Sequence, residues 1–275
     1  MILDQAHPTA ILYRQKKFMI DHVIDRICNH RGGARMIEAA LVLVCKRPAS
    51  GMGKQRLAAS MGREAANCVA EALLACSLED VQDWPGPVVI APSHTADYVW
   101  AGRLLPYKRQ KVCVQPQTDG NLGQRLNALD TVLRDGGLEQ LIYIGSDAPA
   151  LAAADYTEAR KALLEYDVVL KRAVDGGVVL MGNRRPWPSL SALPWSTADL
   201  GSTLADCCRA AGQSVAILSE GFDVDRQDDV VHLITALKTD QRPARRALHL
   251  LASDLVKSTE SIDSIDQKEE SHVQF

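Results

Sequence analysis

Short apolar runs alternate with longer amphipathic stretches along most of the chain. The runs end at or span the following positions: Cys45, Ala91, Gln115, Gly145 and Val168–Leu170. Between them, apolar side chains recur at three- and four-residue spacing, which is typical of helices. Strands that alternate with helices form right-handed βαβ units and a mostly parallel sheet. The pattern therefore predicts an α/β protein.

Two helical stripes and one break in the alternation refine this prediction. One helical stripe of apolar residues runs from Leu57 to Cys76 and another from Leu122 to Leu133. After Leu170 the run Val178–Met181 follows Asp175-Gly176-Gly177 too closely for a helix to intervene, so we expect a hairpin and an antiparallel excursion of the sheet. Further helices are expected over 199–211 and 227–237.

Both ends differ from this central pattern. Residues 1–36 are predicted to be an N-terminal extension with one amphipathic helix, which packs on the main domain or serves as an oligomer contact. Residues 37–240 are predicted to form a single domain. Residues 241–275 are expected to form a C-terminal helix and a disordered tail, because the stretch from Ser258 to Gln274 is polar and poor in large apolar groups.

Composition adds few constraints. The chain has 275 residues, of which 47% are hydrophobic, so it is long enough for a sizeable core. A net charge of -3 gives no reason to expect nucleic acid as a partner. No apolar stretch is long enough to span a bilayer, and the seven cysteines show no paired motif. We therefore expect a cytoplasmic protein with reduced thiols.

A basic, glycine-containing turn follows the first predicted strand. It contains the residues Lys46, Gly51, Gly53, Lys54 and Arg56. Glycines let the backbone approach a ligand, and cations beside a helix start form an anion site. The spacing is not that of a Walker loop. A phosphate site is the favoured interpretation because of the position after the first strand; an ordinary basic surface loop is the alternative.

Two acidic clusters stand directly after apolar runs. Asp147 follows the run Leu141–Ile144, and Asp223 and Asp225 follow the run Val215–Leu218. Ligands of open α/β sheets bind at the carboxyl ends of strands, so the two clusters are expected to meet there. Mg²⁺ takes one or two carboxylates and completes its shell with water and phosphate oxygens. The alternative is that Asp147 is an N-cap or turn aspartate stabilised by nearby backbone amides, and that Asp225 caps the helix that begins near Gln227.

Two weaker motifs have equally ordinary alternatives. Gln117, Gly120 and Gly123 precede or open a helix, where they either surround a nucleobase or ribose or belong to a capped helix start. Asp175 either orients an acceptor or forms a tight turn with its two glycines.

Six short motifs in a fixed order carry a resemblance to one bacterial family. They are K-x-P-x-x-G-x-x-K-x-R-L from Lys46, Q-x-x-G-x-L-G-x-R from Gln117, G-S-D-x-P-x-L from Gly145, D-G-G from Asp175, W-S-T from Trp195 and D-V-D from Asp223. Together they resemble the radical-SAM/selenodomain-associated transferases, a group within the nucleotide-diphospho-sugar transferase superfamily. Some members are regarded as glycosyltransferases of arsenosugar biosynthesis.

The resemblance implies a single glycosyltransferase-A-like (GT-A-like) domain and assigns roles within it. Lys46, Lys54 and Arg56 would contact phosphates, and Gln117 and Gly120 would lie beside the base. The metal, Mg²⁺ or Mn²⁺, would be held by Asp147 and Asp225, with Asp223 as a substitute.

By the same resemblance, the expected function is that of a metal-dependent transferase with a nucleotide-sugar donor and a small-molecule acceptor. Its catalytic residues would be Lys54, Asp147 and Asp175. The alternatives are a nucleotidyltransferase that releases pyrophosphate, and a non-catalytic nucleotide-binding or scaffold protein.

The acceptor side departs from the family pattern. Val178 and Val179 stand where the family has tyrosines, and Arg172 replaces a proline. In the segment after the third strand, Asn121 replaces an aspartate. In the basic turn, Gln55 replaces a threonine. Nucleotide binding is therefore better supported than any particular acceptor.

Overall fold

A computed structural model describes residues 38–49, 54–106 and 112–272, with side chains as far as residue 258. The predicted N-terminal helix lies outside the described residues. The strands are β1 (Ala40–Cys45), β2 (Val88–Pro92), β3 (Val112–Val114), β4 (Leu141–Ile144), β5 (Val168–Arg172), β6 (Val178–Asn183) and β7 (Val215–Ile217). The helices are α1 (Gln55–Met61), α2 (Arg63–Asp83), α3 (Tyr98–Ala101), α4 (Leu122–Asp135), α5 (Ala153–Glu165), α6 (Leu200–Ala210), α7 (Gln227–Leu237) and α8 (Pro243–His272), with a 3₁₀ turn at Thr95–Asp97.

The strands of the described ranges form one seven-stranded sheet in the order β3-β2-β1-β4-β6-β5-β7. Only β6 runs antiparallel to its neighbours β4 and β5; the other pairs are parallel. The predicted α/β fold, the hairpin after β5 and the antiparallel excursion are confirmed. Helices cover both faces of the sheet, as a sheet with buried, near-continuously apolar strands requires.

The core has a layer on each face of the sheet and a third cluster beside it. On β1, Leu41 and Leu43 face one layer, while Val42 faces the other. The third cluster joins α1, α2, α7 and α8; Leu57, Val230 and Leu248 are among its fully buried side chains. This third cluster packs α1 against α7 and α8.

Two helices differ from the sequence-based expectation. The stripe from Leu57 to Cys76 is divided between α1 and α2 because the chain turns at Gly62, whose φ of 83° suits glycine. At the other end, α8 continues to His272, through most of the segment expected to be a disordered tail. The first half of α8 packs on α2 and α7, and a helix that has been nucleated extends at low cost through residues with adequate helix propensity.

Candidate active site

Asp147 lies in the loop at the carboxyl end of β4, and its side chain is 40% exposed. It is not a helix cap, because α5 begins only at Ala153. The amide of Ala152, which precedes this helix, is instead bonded by the Asp155 carboxylate at 2.9 Å. The capping alternative for Asp147 is therefore wrong, and its carboxylate remains available at the strand end.

The segment after β7 crosses the end of the sheet to reach Asp147. Leu218 N–H donates to Leu170 O (2.8 Å), Gly221 N–H to Arg172 O (2.8 Å), and Val224 N–H to Asp147 O (2.9 Å). Although β7 and β4 are separated by two strands, these hydrogen bonds place residues 223–225 beside the loop of β4. Val224 is buried between the two aspartates, whose side chains remain half-buried.

Three carboxylates converge as a result. One oxygen each from Asp147, Asp223 and Asp225 lies within 4.8 Å of the other two. Carboxylate oxygens are the ligands preferred by the hard cations Mg²⁺ and Mn²⁺, so this donor set suits the metal that the sequence predicts. The convergence is the geometric premise of the predicted metal site; metal binding itself stays a prediction.

The side chain of Lys54 reaches the same point. Its Nζ lies 2.9 Å from Asp225 Oδ1 and 3.4 Å from Asp147 Oδ2, and its side chain is 13% exposed. Lys54 has φ 44° and ψ 42°, in the left-handed region, immediately before α1. Such a conformation is uncommon for a side chain other than glycine, asparagine or aspartate, and it is often found at functional sites.

The other members of the predicted phosphate site are only partly defined. Arg56 Nη1 lies 3.6 Å from Asp225 Oδ2, with its side chain 53% exposed, so it faces solvent beside the carboxylates. Lys46 is exposed at the end of β1. Gly51 and Gly53 lie outside the described residues, and their predicted contact with a nucleotide stays a prediction.

The close approach of these charges alters their protonation. Burial, followed by repulsion from the Asp147 and Asp175 carboxylates, raises the pKa of Asp223 from 3.8 to about 7. Burial opposes ionisation of Asp225 as well, but Lys54 and Arg56 outweigh it and lower the pKa of Asp225. Burial of Lys54 is likewise outweighed by Asp147 and Asp225, which raise the pKa of its ammonium. The cluster therefore has an excess of acidic groups that an added cation would stabilise.

Gln117, Gly120 and Gly123 follow β3 at the same end of the sheet. Gln117 is buried, and its Nε2 donates to Ala91 O at 2.7 Å. Gly120 has φ 112°, which favours glycine. A Cβ on Gly123 would lie 2.0 Å from Leu190 O, so this glycine is needed for the packing of α4. Their predicted contacts with a nucleotide stay predictions.

The start of α4 has the ordinary chemistry of a capped helix. Asn121 Oδ1 accepts from the Gln124 amide at 3.0 Å, and Gln124 Oε1 accepts from the Asn121 amide at 2.9 Å. This reciprocal pair is a capping box. The position where the resembling family has aspartate is therefore occupied here by a residue with a structural role.

Asp175 forms the turn between β5 and β6. Its Oδ1 accepts from the amide of Gly177 at 2.9 Å, and the side chain is exposed. Gly176 has φ 90°, and a Cβ there would lie 1.8 Å from Ala198 O, so the turn requires glycine. The turn interpretation is confirmed, while the charge of Asp175 still acts on Asp223; its predicted catalytic role stays a prediction.

Asp229, which the sequence did not single out, supports the candidate site. Asp229 Oδ2 accepts from the amides of Asp225 (2.8 Å) and Arg226 (2.7 Å) and so fixes the segment that carries Asp225. The capping alternative for Asp225 is wrong, because Arg226 is the N-cap residue of α7 and the Asp225 carboxylate accepts from Lys54 instead. An acidic residue in the first turn of a predicted helix was the available signal.

Part of the chain matches a family of bacterial proteins. The model of a family described as "Uncharacterized protein conserved in bacteria (DUF2064)" matches residues 74–197, somewhat less than half of the chain. That range includes Asp147 and Asp175 but not Lys54, Asp223 or Asp225. No curated protein is significantly similar to the chain.

The fold has a clear counterpart among crystal structures. A proposed nucleotide-diphospho-sugar transferase from Desulfovibrio desulfuricans superimposes with a TM-score of 0.69 at 23% identity, over 80% of this chain and 98% of that one. A 4-diphosphocytidyl-2C-methyl-D-erythritol synthase from Anaerococcus prevotii (12% identity, covering 70% and 96%) and a cytidylyltransferase from Leptospira borgpetersenii (12%, covering 83% and 96%) each reach only 0.46. The chain therefore has the nucleotide-diphospho-sugar transferase fold. Within the described ranges, none of its helices is both long and apolar enough to cross a membrane.

Proposed function

We propose that this protein is a metal-dependent transferase that takes a nucleotide-sugar as its donor. The observation that carries the proposal is the convergence of three aspartates with Lys54 at the carboxyl ends of the strands. This edge is where open α/β sheets bind their ligands. The resemblance to the radical-SAM/selenodomain-associated transferases favours the glycosyl reaction and a small-molecule acceptor.

The described residues suggest a division of labour. Asp147, Asp223 and Asp225 would hold a divalent cation, which when bound neutralises charge on the diphosphate. Lys54 and Arg56, which lie beside these carboxylates, would pair with the phosphate oxygens. These residues stabilise the departing nucleoside diphosphate while an acceptor hydroxyl attacks the sugar carbon, so catalysis rests on positioning and charge stabilisation.

The first experiment is a calorimetric titration of the protein with a panel of nucleoside triphosphates and nucleotide-sugars, with and without Mg²⁺ or Mn²⁺. We expect binding of at least one donor that requires the metal in the wild type and is lost in Asp147→Asn. The matched control is Asp135→Asn, which alters an exposed aspartate at the end of α4, outside the predicted site, and should leave metal-dependent binding unchanged.

The products decide between the reactions. Release of a free nucleoside diphosphate from the bound sugar donor, in the presence of an acceptor, supports glycosyl transfer. Release of pyrophosphate from a triphosphate instead supports the nucleotidyltransferase alternative. Metal-dependent binding without turnover across a broad acceptor panel supports the scaffold alternative, and absence of binding by any nucleotide contradicts all three.

A further inference from the structure

The ammonium of Lys54 lies between carboxylates that are the candidate metal ligands. Its Nζ is within hydrogen-bonding distance of both Asp225 Oδ1 (2.9 Å) and Asp147 Oδ2 (3.4 Å). Asp147 is 93 positions from Lys54 in the chain and Asp225 is 171, so only the tertiary fold brings the lysine to them. The protein thus supplies one cation of its own to the acidic cluster.

A divalent ion and this ammonium cannot both keep those contacts. The ligand oxygens of the three aspartates all lie within 4.8 Å of one another, so an ion bound among them would be only a few ångströms from Nζ. Two cations at that separation repel each other strongly at a partly buried site. The same carboxylate oxygens would also have to exchange a hydrogen bond for a metal bond.

Bound nucleotide phosphates would offer the ammonium of Lys54 an alternative partner. Its side chain is long and flexible, and an ammonium is a compact charge that pairs readily with phosphate. Lys54 is the N-cap residue of α1, in the basic turn that is predicted to receive the nucleotide phosphates. Arg56, two residues further along the chain, lies 3.6 Å from Asp225. Its side chain is more exposed than that of Lys54, and it does not lie between two carboxylates.

We propose that Lys54 competes with the metal for its carboxylate ligands. In the nucleotide-free protein the ammonium pairs with Asp147 and Asp225, and it moves to the phosphates when metal and nucleotide bind together. This inference rests on the proposed function. Its consequence is that the free protein binds the metal weakly, and that nucleotide strengthens metal binding by drawing the lysine away. Metal and nucleotide are then coupled, each favouring the other.

The test measures Mn²⁺ binding to the nucleotide-free protein from the electron paramagnetic resonance signal of free Mn²⁺. Lys54→Met retains the length of the side chain and removes its charge, and we expect it to bind Mn²⁺ about tenfold more tightly than the wild type. Lys54→Gln is the second variant should the methionine protein fail to fold. Arg56→Met removes the same charge nearby and should change the affinity much less.

The outcomes separate the two proposals. Equal or weaker Mn²⁺ binding by both Lys54 variants overturns the competition, as does an equal gain in Arg56→Met, because the gain would then be a general charge effect. If Asp147→Asn abolishes the Mn²⁺ binding seen in the wild type, the proposed metal site stands in either case. If neither the wild type nor the Lys54 variants bind Mn²⁺, the metal site of the proposed function fails together with the inference.

Discussion

A comparison of two groups of acids and bases among the described residues shows that they are built differently. One is the carboxylate site, formed by Asp147, Asp223 and Asp225 with Lys54. The other, here called the arginine clamp, lies between α2 and α8 and consists of Glu79, Asp80, Tyr156, Arg242 and Arg245. The carboxylate site has more acids than bases and is half-exposed, whereas the clamp pairs two acids with two arginines.

The clamp is satisfied at nearly every atom. Arg245 has no solvent exposure and donates to Glu79 Oε2 (2.9 Å), Asp80 Oδ2 (2.6 Å) and Pro149 O (3.1 Å). Asp80 also accepts from the hydroxyl of Tyr156 at 2.8 Å. A buried charge is tolerated only with such partners, so this group serves the fold.

The comparison teaches how to separate structural from functional charge in this chain. Burial with complete pairing indicates structure; partial exposure with surplus charge of one sign indicates a place for a ligand. The two groups are also connected by hydrogen bonds. Arg245 donates to the carbonyl of Pro149 and Arg242 to that of Leu151, and both carbonyls follow Asp147 in its loop. The clamp therefore supports the loop that carries one of the candidate ligands.

The largest effect is expected from breaking the clamp. Arg245→Met leaves the buried Asp80 and the half-buried Glu79 without their main partner, which should lower the free energy of unfolding by about 3–5 kcal/mol. Denaturant unfolding followed by circular dichroism measures it. The control is Arg246→Met, next along α8 and exposed, for which we expect less than about 0.5 kcal/mol. Similar losses for the two variants would show that the clamp is not a special feature of the fold.

The converse result is expected from Asp147→Asn. Because this side chain is half-exposed and caps no helix, the substitution should leave the free energy of unfolding nearly unchanged. It should weaken metal-dependent nucleotide binding by about a hundredfold, since one of few charged ligands is lost. Calorimetry and denaturation on the same preparation measure both quantities. A loss of stability with unchanged affinity would place Asp147 with the structural charges.

The sequence predicts the strands and the meeting of the carboxylates because both follow from local rules. Apolar runs bounded by turn residues specify β1, β4 and the hairpin after β5, and the strand-end rule brings Asp147 and Asp225 to one edge. The path of that meeting was not predictable. It depends on β7 pairing with β5 and on residues 218–225 crossing the sheet end, which are long-range contacts.

The arginine clamp and the position of the Lys54 ammonium could not be predicted from the sequence for a related reason. The stretch that contains Arg245 is simply basic in sequence, and nothing local shows that this arginine is buried while Arg246 is exposed. Likewise, the basic turn predicts an anion site, but the position of Lys54 Nζ between two aspartates depends on tertiary packing. Local patterns give the type of a charged residue, and the fold decides its partner.

A smaller effect concerns the pH dependence caused by Asp223. Its pKa is raised to about 7 by burial and by neighbouring carboxylates, so the folded, metal-free protein binds this proton more tightly than the unfolded chain does. Its contribution to stability is therefore lost as pH rises between about 4 and 7. After allowance for solvent screening, Asp223→Asn should be more stable than the wild type at pH 8 by roughly 1–2 kcal/mol and should match it near pH 4.

Chelator-treated protein, unfolded by denaturant at each pH, gives that difference directly. Asp228→Asn is the control, since this exposed aspartate in the first turn of α7 lies outside the cluster. A variant that is equally or less stable than the wild type at pH 8 would show that Asp223 is not under repulsion in the folded state.

The smallest effect is expected from Arg56→Ala. Arg56 is 53% exposed and lies at the rim of the carboxylate site, where a charge pair is screened by solvent. Its removal should weaken binding of a nucleoside diphosphate by about threefold to fivefold and leave binding of the bare nucleoside unchanged. Calorimetry with both ligands measures the contrast, and Arg63→Ala, an exposed arginine at the start of α2, is the control. Equal losses of affinity for the two ligands would mean that Arg56 shapes the pocket rather than contacting phosphate. Surplus charge at this edge of the sheet would then not by itself indicate where the ligand binds.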